Sequence, residues 1–425
     1  MTSFSLPRHS SCRSIDPLGL CEDVVDPGDG TLPHANLIEV LLKQADAELR
    51  DVEALPSFSR PTWTTIFSGL VEDIAYGLHL DSSLQTGGLE IVLKIEALAD
   101  AELSKFRKSL ISSAMSLEVA FPTRRLQQLC DEDQSISLRA DQFDCLLAYL
   151  LLGTIHMPSG NTWGRPGYTQ LFGGSEATAE TSQAYLLTIM QHFSIEGYSS
   201  TLSSDHHFTF QLSSGMQMPE LSISNIPAVA MPVTVLGPGP GGTQEERLVG
   251  QSPALALASL LTPELSPHAA VITSSVTVHS HWEGHGRDAR MVQLYHTAAR
   301  PCRRYIIADA LELDGEDIIS ETSPRRIERE VRTLYAALSG AKACSLSEGW
   351  PLEDLRIEMP PWGCDAFGAT LSVKAQCMMM AAGLAGLESQ NLELLVPQDR
   401  EHELVNIPRG RITISHLFSR LAVAI

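Results

Sequence analysis

The sequence predicts an α/β protein in which a helical N-terminal region precedes a sheet with helices on both faces. Apolar residues recur at intervals of three and four over 37–55, 64–80 and 102–120, which is typical of amphipathic helices packed on one another. Beyond residue 200, alternating or β-branched runs suited to strands are separated by helical stretches. This alternation of strands and helices indicates a layered α/β domain.

The N-terminal half divides into two predicted parts. Residues 1–35 are rich in Ser, Pro, Asp and Gly and lack a period, so we expect an irregular lead-in. Residues 36–200 are predicted to form a helical accessory region. Within it, 143–152 continues the helical pattern as a more buried helix, and 182–193 adds a further one.

Residues 201–425 are predicted to form the α/β domain. Alternating or aliphatic runs predict strands at 207–211, 269–278, 304–311 and 392–396. Helical stretches are expected at 252–261, 324–339 and 378–387. In the second of these, Pro324 stands in the first turn and Gly340 is expected just past the end.

Composition excludes several classes of function. The chain has 425 residues and a net charge of −21, and such a field opposes duplex DNA binding, which needs a basic face. The eight cysteines form no Cys-x-x-Cys pair and the N-terminus carries no secretory signal, so we expect reduced thiols in an intracellular protein. Apolar runs such as 145–152 are too short to cross a bilayer, so no membrane role is expected.

A glycine-rich loop followed by two carboxylates is the first motif that carries chemistry. Residues 237–242 read Gly-Pro-Gly-Pro-Gly-Gly, and Gln244, Glu245 and Glu246 follow closely. Glycines let backbone amides approach phosphates, and a carboxylate pair after such a loop would lie beside the sugar that carries them. The same letters also suit a plain surface turn with a solvated acidic pair.

Two later segments of the sequence form a set with this loop because of their order and spacing. Residues 305–311 read Tyr-Ile-Ile-Ala-Asp-Ala-Leu, and residues 362–368 read Trp-Gly-Cys-Asp-Ala-Phe-Gly and precede the segment 369–375, which contains Lys374. In order and rough spacing, the three motifs resemble the catalytic region of poly(ADP-ribose) glycohydrolases. The resemblance covers about 50–400, with specific motifs only beyond residue 200.

The resemblance implies a macrodomain-like mixed sheet and hydrolysis of ribose–ribose O-glycosidic bonds in poly(ADP-ribose), without a cofactor. It implies that Glu246 protonates the leaving ribose oxygen and then deprotonates water, while Glu245 fixes the ribose. The substrate-binding residues that it implies are Gln244, Asn225, Gly239, Gly241, Gly242, His285, Gly363, Cys364, Ala366, Phe367 and Gly368. The expected partners are poly(ADP-ribose) or ADP-ribosylated proteins, in the nucleus, the cytoplasm or both.

Several positions depart from the family pattern and leave alternatives open. Pro238 and Pro240 remove amide donors from the first loop, where the family's run of three glycines is absent from its usual place. Ser222 stands where the family has aspartate, and His285 where it has the tyrosine that covers the adenine. One alternative is therefore a catalytically impaired reader of ADP-ribose or its polymer. Another is a misassigned reading frame or splice site across 226–240.

Two further features have simpler interpretations. His279, His281 and His285 lie close in sequence and could bind zinc, but no Cys or acidic ligand accompanies them at typical spacing. No metal site is therefore expected. The basic segment 325–329 is interpreted as the solvated start of a helix.

Overall fold

The fold is described here from a computed structural model of the chain. It describes residues 3–94, 98–130, 134–155, 167–173, 179–195, 197–203, 205–236, 250–262, 265–283, 290–295, 300–313, 321–364, 367–408 and 410–422. Within these ranges the α-helices are α1 (His34–Glu53), α2 (Arg60–His79), α3 (Gly87–Lys94), α4 (Asp100–Met115), α5 (Leu117–Ala120), α6 (Ala140–Leu152), α7 (Ala179–Ser194), α8 (Gly197–Thr201), α9 (Ala258–Leu261), α10 (Pro324–Ser347), α11 (Leu371–Ala385) and α12 (Ile414–Ala422). The helices expected from the periodicity are present with shifted bounds, except that 252–261 forms a 3-10 helix (Pro253–Leu257) followed by the single turn α9.

The strands form two main sheets and several short pairs. They are β1 (Ser3–Ser5), β2 (Arg13–Ser14), β3 (Leu32–Pro33), β4 (Arg125–Gln127), β5 (Ser135–Arg139), β6 (His207–Ser214), β7 (Val233–Leu236), β8 (Ala269–Thr273), β9 (Val276–Thr277), β10 (Ser280–Glu283), β11 (Arg290–Leu294), β12 (Cys302–Arg303), β13 (Ile306–Ala308), β14 (Ile357–Met359) and β15 (Leu392–Pro397). One main sheet is antiparallel in the order β13-β8-β6-β5, and the other is parallel in the order β14-β15-β7. The chain is therefore mixed α/β, as predicted.

The antiparallel sheet carries helices on both faces because successive side chains of its strands point to opposite faces. On β6, Phe208 and Phe210 point to the helical region, where the Phe143 ring of α6 lies 4.3 Å from the Phe208 ring between centroids. On the opposite face, Gln211 accepts a hydrogen bond from Cys344 of α10 at 2.9 Å. The side chains of β6 thus contact the helical region on one face of the sheet and α10 on the other.

Gly340 corrects one prediction. The sequence places the end of a helix at residue 339, but α10 continues through Gly340 to Ser347. A Cβ at this glycine would lie 2.7 Å from the Cβ of Ser213 and closer still to Ile272, on the sheet beneath. Glycine is here because the helix and sheet approach closely, and not because the helix stops.

The parallel sheet belongs to a second apolar core with α10, α11 and α12. The helix expected at 378–387 begins earlier, at Leu371, because its polar residues Ser372, Lys374 and Gln376 are buried and do not mark a loop. It ends at Ala385, where Gly386 adopts a φ of +63°. The first residues of α11, from Leu371 to Gln376, therefore connect the loop of 362–368 directly to the buried core.

The helical region shares one apolar core with the antiparallel sheet. Strand β5 lies before residue 200 and pairs with β6, so that sheet takes strands from both sides of the predicted domain division. The lead-in also contributes to this core through buried Phe4, Leu6 and Leu32. The division at residue 200 stays a prediction. Of the helices that the structure describes, none combines the length and apolar character needed to span a membrane.

Candidate functional site

The parallel sheet brings three strand ends to one edge. Strand β15 pairs in parallel with β14 on one side and with β7 on the other. The carboxyl ends of parallel strands meet at one edge of a sheet, and two strand spacings separate β7 from β14 by about 10 Å. Leu236, the last described residue before the glycine-rich segment, therefore lies at the same edge as the loop that follows Met359. Ligands of α/β folds commonly bind at such an edge.

The loop between β14 and α11 is a tight turn held by its own backbone. The N–H of Cys364 donates to Pro361 O at 3.0 Å, and the N–H of Ala369 donates to Gly363 O at 3.1 Å. Gly363 and Gly368 adopt φ values of +74° and +69°, which strain any residue with a Cβ. Two of the predicted binding glycines are thus required by the turn itself. We call residues 362–368 the second loop.

Two of the three sequence motifs meet at the second loop. The indole Nε1 of Trp362 donates to Ala308 O at 3.2 Å, and the N–H of Leu313 donates to Phe367 O at 2.9 Å. A Cβ on Gly363 would lie 2.9 Å from the Cβ of Ala310. The segment 308–313 therefore packs along the second loop. This contact explains why the two motifs occur together.

A buried ion cluster supports this junction, and we call it the loop ion cluster: Lys374, Glu330, Arg329 and Asp309. The Lys374 ammonium forms an ion pair with Glu330 and lies 4.6 Å from the centroid of the Trp362 ring. Glu330 also pairs with Arg329, which donates to Asp309 Oδ2 at 2.7 Å. Burial lowers the pKa of Lys374 to about 8. The cluster joins α10, α11 and the end of β13 beneath the second loop.

Glu330 is a residue that the sequence analysis missed. Its side chain accepts a hydrogen bond from the N–H of Leu311 at 3.1 Å, so it holds the 308–313 segment as well as Lys374. The sequence contained an indication of its burial. Ile327, Val331 and Leu334 mark the buried face of α10, and Glu330 lies on that face. A carboxylate at a buried helical position needs a buried partner.

The first amides of α11 are occupied by the chain's own carboxylates. The N–H of Thr370 donates to both oxygens of Glu321, at 3.0 and 3.2 Å, and the N–H of Leu371 donates to Glu403 at 3.2 Å. Burial raises the pKa of Glu321. In the described part of the chain, the N–H groups of Phe367 and Gly368 donate to no protein acceptor. An anion at this edge would therefore meet the amides of the second loop, not those of the helix.

The first loop lies outside the described ranges, and the described chain borders it at Leu236 and Gly250. It enters from β7 and rejoins the described chain at Gly250, whose carbonyl accepts a hydrogen bond from Ser280 at 2.7 Å. A Cβ on Gly250 would lie 2.6 Å from the ring of Trp282 on β10. His285 follows β10 in the sequence but lies outside the described ranges. Gly250, where the described chain resumes after the first loop, thus packs against the strand that precedes His285.

Several predicted site residues cannot be placed, and one lies elsewhere. Those outside the described ranges are Gly239, Gly241, Gly242, Gln244, Glu245, Glu246, His285 and Ala366. Asn225 is exposed and lies two residues before Pro227, whose carbonyl packs against Gly383 of α11. Twelve helical residues, or about 18 Å, separate Gly383 from the start of α11 at the second loop. The structure therefore does not bring Asn225 to the second loop, and its role in binding stays a prediction.

The histidines considered for zinc do not converge within the described residues. His279 is buried, with its Nε2 3.3 Å from His192 Nδ1, and His192 in turn lies 2.9 Å from Asp144. Burial and the neighbouring His192 hold the pKa of His279 well below its usual range, so it is neutral. His281 is exposed on β10. In the portions of the chain described, no group of three potential ligands is placed to hold a metal.

The comparison with known families agrees with this architecture. Residues 233–400 match the family described as poly(ADP-ribose) glycohydrolase, macro domain fold. This part of the chain is similar to the poly(ADP-ribose) glycohydrolase family. The match begins at the first residue of β7 and continues past β15, so it includes all three parallel strands, both loops and the loop ion cluster. The predicted family resemblance and macrodomain-like fold are confirmed, and the match supports glycosidase chemistry of this general type.

Proposed function

We propose that the protein hydrolyses ribose–ribose O-glycosidic bonds of poly(ADP-ribose) and releases ADP-ribose. The observation that carries this proposal is the shared edge of β7, β15 and β14. Strand β7 ends at this edge eight residues before Gln244, which supports placing Gln244, Glu245 and Glu246 within reach of a nucleotide bound at the second loop. The family match over residues 233–400 supports the same reaction class.

In the proposed reaction, one carboxylate carries out both proton transfers. Glu246 gives a proton to the leaving ribose oxygen as the glycosidic C–O bond breaks, and then takes a proton from the water that attacks the anomeric carbon. Glu245 accepts hydrogen bonds from the ribose hydroxyls and fixes the ring, and Gln244 contacts the adenine or ribose edge. Neighbours in sequence diverge in direction, so this pair cannot flank the bond as in most glycosidases.

The diphosphate is assigned to backbone amides of the two loops. The N–H groups of Phe367 and Gly368 are free of protein acceptors in the described chain, and Gly363 and Cys364 form the turn that presents them. In the first loop, Gly239, Gly241 and Gly242 retain N–H groups between and after the prolines. Because the α11 amides are occupied by Glu321 and Glu403, they are left out of the proposed cradle. Asn225 is also left out, on account of its position along α11.

A reader without turnover is the second candidate. Ser222 stands at the position of the family's aspartate, and its hydroxyl donates to the exposed Glu220 at 2.5 Å. Pro238 and Pro240 remove two amide donors from the first loop. These departures weaken binding and alignment of the substrate while leaving Glu245 and Glu246 in place. The two candidates therefore differ in turnover, not in ligand.

The deciding experiment incubates the purified chain with poly(ADP-ribose) labelled in the adenosine and separates released ADP-ribose by chromatography. We expect release by the parent protein and a rate about 10²–10⁴-fold lower for Glu246→Gln, which lacks the transferable proton. Glu22→Gln, at an exposed glutamate of the lead-in, serves as the matched control and should leave the rate unchanged. Equal rates for Glu246→Gln and parent would show that another group is the acid.

Binding is measured in parallel to separate the reader from an inactive or unrelated protein. ADP-ribose should raise the melting temperature by an amount set by its concentration over its dissociation constant, and AMP should raise it much less. Stabilisation by ADP-ribose without any release from polymer would identify the reader. Absence of both would overturn the proposed function.

A further inference from the structure

A buried chain of hydrogen-bonding side chains joins the helical region to the segment before β10. The carboxylate of Asp144 on α6 lies 2.9 Å from Nε2 of His192 on α7, and Nδ1 of His192 lies 3.3 Å from Nε2 of His279. None of the three residues is more than 1% exposed. We call Asp144, His192 and His279 the histidine relay. The proposed reaction uses none of them, so their burial at one place needs an explanation.

The acceptors around the histidine relay determine where its protons lie. Nδ1 of His279 lies 3.2 Å from the carbonyl of Thr277, so it carries a proton and donates a hydrogen bond to that oxygen. Nε2 of the same neutral ring then has only a lone pair, and it accepts from Nδ1–H of His192. Nε2–H of His192 donates to Asp144. The geometry therefore makes His192 an imidazolium that is paired with the Asp144 carboxylate.

The surroundings of Asp144 keep it ionised. Its carboxylate also accepts hydrogen bonds from the N–H groups of Tyr198 at 3.1 Å and Ser199 at 2.8 Å. Burial favours a raised pKa at Asp144, but the hydrogen bond and the charge of His192 outweigh burial and hold that pKa below its usual value. A buried ion pair adds little stability over apolar residues of the same size, because both charges lose their hydration. The histidine relay is therefore explained better by what it orders than by stability alone.

The histidine relay contacts the chain directly after the first loop. The backbone N–H of His279 donates to Gln251 O at 2.7 Å, and the hydroxyl of the adjacent Ser280 donates to Gly250 O at 2.7 Å. We call Gly250 and Gln251 the anchor segment. Glu246 precedes Gly250 by four residues in the sequence, and four extended residues span at most about 14 Å. The position of the anchor segment therefore limits where Glu246 can lie.

We propose that the histidine relay positions the segment that carries the proposed catalytic carboxylates. The ion pair of Asp144 and His192 holds the His279 ring in one tautomer and one orientation, and the backbone at His279 holds the anchor segment. The inference rests on the proposed function, and it makes the helical region a part of the active enzyme as well as of its fold. A displacement of about 1 Å at a catalytic group costs roughly 10²-fold in rate, so a small loss of order at the anchor segment is enough to slow turnover.

The test compares His279→Gln with His279→Leu, which introduce side chains of similar size. The amide oxygen of glutamine can accept a hydrogen bond from Nδ1–H of His192, whereas leucine leaves the imidazolium without an acceptor. We expect His279→Leu to lower kcat for release of ADP-ribose from the polymer about 10- to 100-fold, and His279→Gln to retain about a third or more of kcat. The dissociation constant for ADP-ribose should rise less than about threefold in both variants, because the second loop is unchanged. A role in packing alone predicts the reverse order, since leucine is the more favourable of the two side chains in an apolar interior.

The matched control is Leu110→Ala on α4, a fully buried residue on a helix that carries no member of the histidine relay. Its cavity lowers stability, but at a temperature where the protein is folded it should leave kcat within about twofold of the parent. Asp144→Asn removes the anionic partner of His192 and should lower kcat as much as His279→Leu does. It provides the same comparison if the leucine variant does not fold.

The protonation of the histidine relay is measured without turnover, by nuclear magnetic resonance of the parent protein with isotope-labelled histidines. Both ring nitrogens of His192 should carry protons, and only Nδ1 of His279 should. An unprotonated Nδ1 on His192, equal kcat values for His279→Leu and His279→Gln, or an equal loss in Leu110→Ala would each overturn the inference and leave the proposed function unaffected. A parent protein that releases no ADP-ribose would overturn the proposed hydrolysis, and the positioning role with it.

Discussion

The helical region and the parallel-sheet region each bury a basic side chain among carboxylates, but the two clusters contact different kinds of structure. In the helical region, Arg107 of α4 donates to both oxygens of Glu53 at 2.9 Å and pairs with Asp46. Trp63 of α2 donates to the same glutamate at 3.0 Å. We call Arg107, Glu53 and Asp46 the helical ion cluster. All its members lie on helices that are already regular.

The loop ion cluster instead supports a backbone that is not regular. Lys374 lies under Gly363, and its partner Glu330 accepts the N–H of Leu311 in the segment that packs on the second loop. Removing charges from water costs free energy in both places, so neither cluster is evidence for stability alone. The difference is in what each one orders. The helical cluster fixes helix packing, and the loop cluster fixes the surface that would face a nucleotide.

The largest expected effect comes from removing one basic partner from each cluster. Lys374→Met and Arg107→Met should each lower the free energy of unfolding by about 3–5 kcal/mol, because carboxylates remain buried without their cation. ADP-ribose binding should separate them. We expect about tenfold or more weaker binding for Lys374→Met and a change within about twofold for Arg107→Met, measured by calorimetry at a temperature where both are folded.

A double variant distinguishes support of the loop from general instability. Lys374→Met/Glu330→Met removes both buried charges and should recover much of the lost unfolding free energy in urea titrations. ADP-ribose binding should remain weak, because the N–H of Leu311 loses its acceptor. If binding recovers together with stability, or if Arg107→Met weakens it as much as Lys374→Met, the two clusters do not differ in the way described here.

Sequence patterns predicted what depends on local periodicity and turn chemistry. The amphipathic runs gave α1, α2 and α4, and the letters of the second loop identified Gly363 and Gly368 as backbone positions of special conformation. Both follow from neighbours within a few residues. The helix and strand predictions therefore failed mainly at their ends, where packing decides.

Long-range contacts explain what the sequence could not predict. The partner of Glu330 is Lys374, 44 residues later, and no local pattern joins them. From the sequence alone, Gly340 predicts a helix end. The contact that requires glycine there comes from Ser213 and Ile272 of the sheet, which are distant in sequence. The placement of Asn225 along α11 likewise depends on the packing of Pro227 against Gly383. Tertiary structure, not propensity, settles each of these.

A middle-sized effect comes from adding one methyl group to a glycine of the lead-in and to a glycine of the second loop. Gly363 and Gly30 have similar φ values of +74° and +69°, but only at Gly363 would a Cβ meet other atoms, within 2.9 Å of Ala310. Gly30→Ala should cost about 1 kcal/mol of unfolding free energy from backbone strain, and Gly363→Ala about 2–3 kcal/mol. Urea titration measures both.

Ligand binding again separates these glycines. Gly363→Ala must displace either the 308–313 segment or the second loop, so ADP-ribose binding should weaken, whereas Gly30→Ala in the lead-in should leave it unchanged. Equal unfolding free energies for the two variants would mean that the contact with Ala310 relaxes without cost. Unchanged ADP-ribose binding by Gly363→Ala would remove the second loop from the proposed cradle.

The smallest expected effect is a difference in pH dependence between one glutamate of each region. Burial favours a raised pKa at Glu53, but hydrogen bonds from Arg107, Ser104 and Trp63 outweigh it and hold the pKa below its usual value of 4.5. At Glu321, burial dominates over the bonds from Thr370 and raises the pKa above 4.5. The stabilising contribution of Glu53 is present above its unfolded pKa and is lost as pH falls through its folded pKa. That of Glu321 is complete below its unfolded pKa and is lost as pH rises through its folded pKa.

Glutamine variants report these opposite signs, because an amide does not titrate. Unfolding free energies from urea titrations at pH 7, 6, 5 and 4 are compared for the parent, Glu53→Gln and Glu321→Gln. As pH falls, the advantage of the parent over Glu53→Gln should shrink toward pH 4, while its stability relative to Glu321→Gln should increase between pH 7 and pH 5. If the difference in unfolding free energy between the parent and each variant changes with pH in the same direction for both variants, burial does not dominate at Glu321. The carboxylate at the start of α11 would then be an ordinary helix cap with no cost to the site.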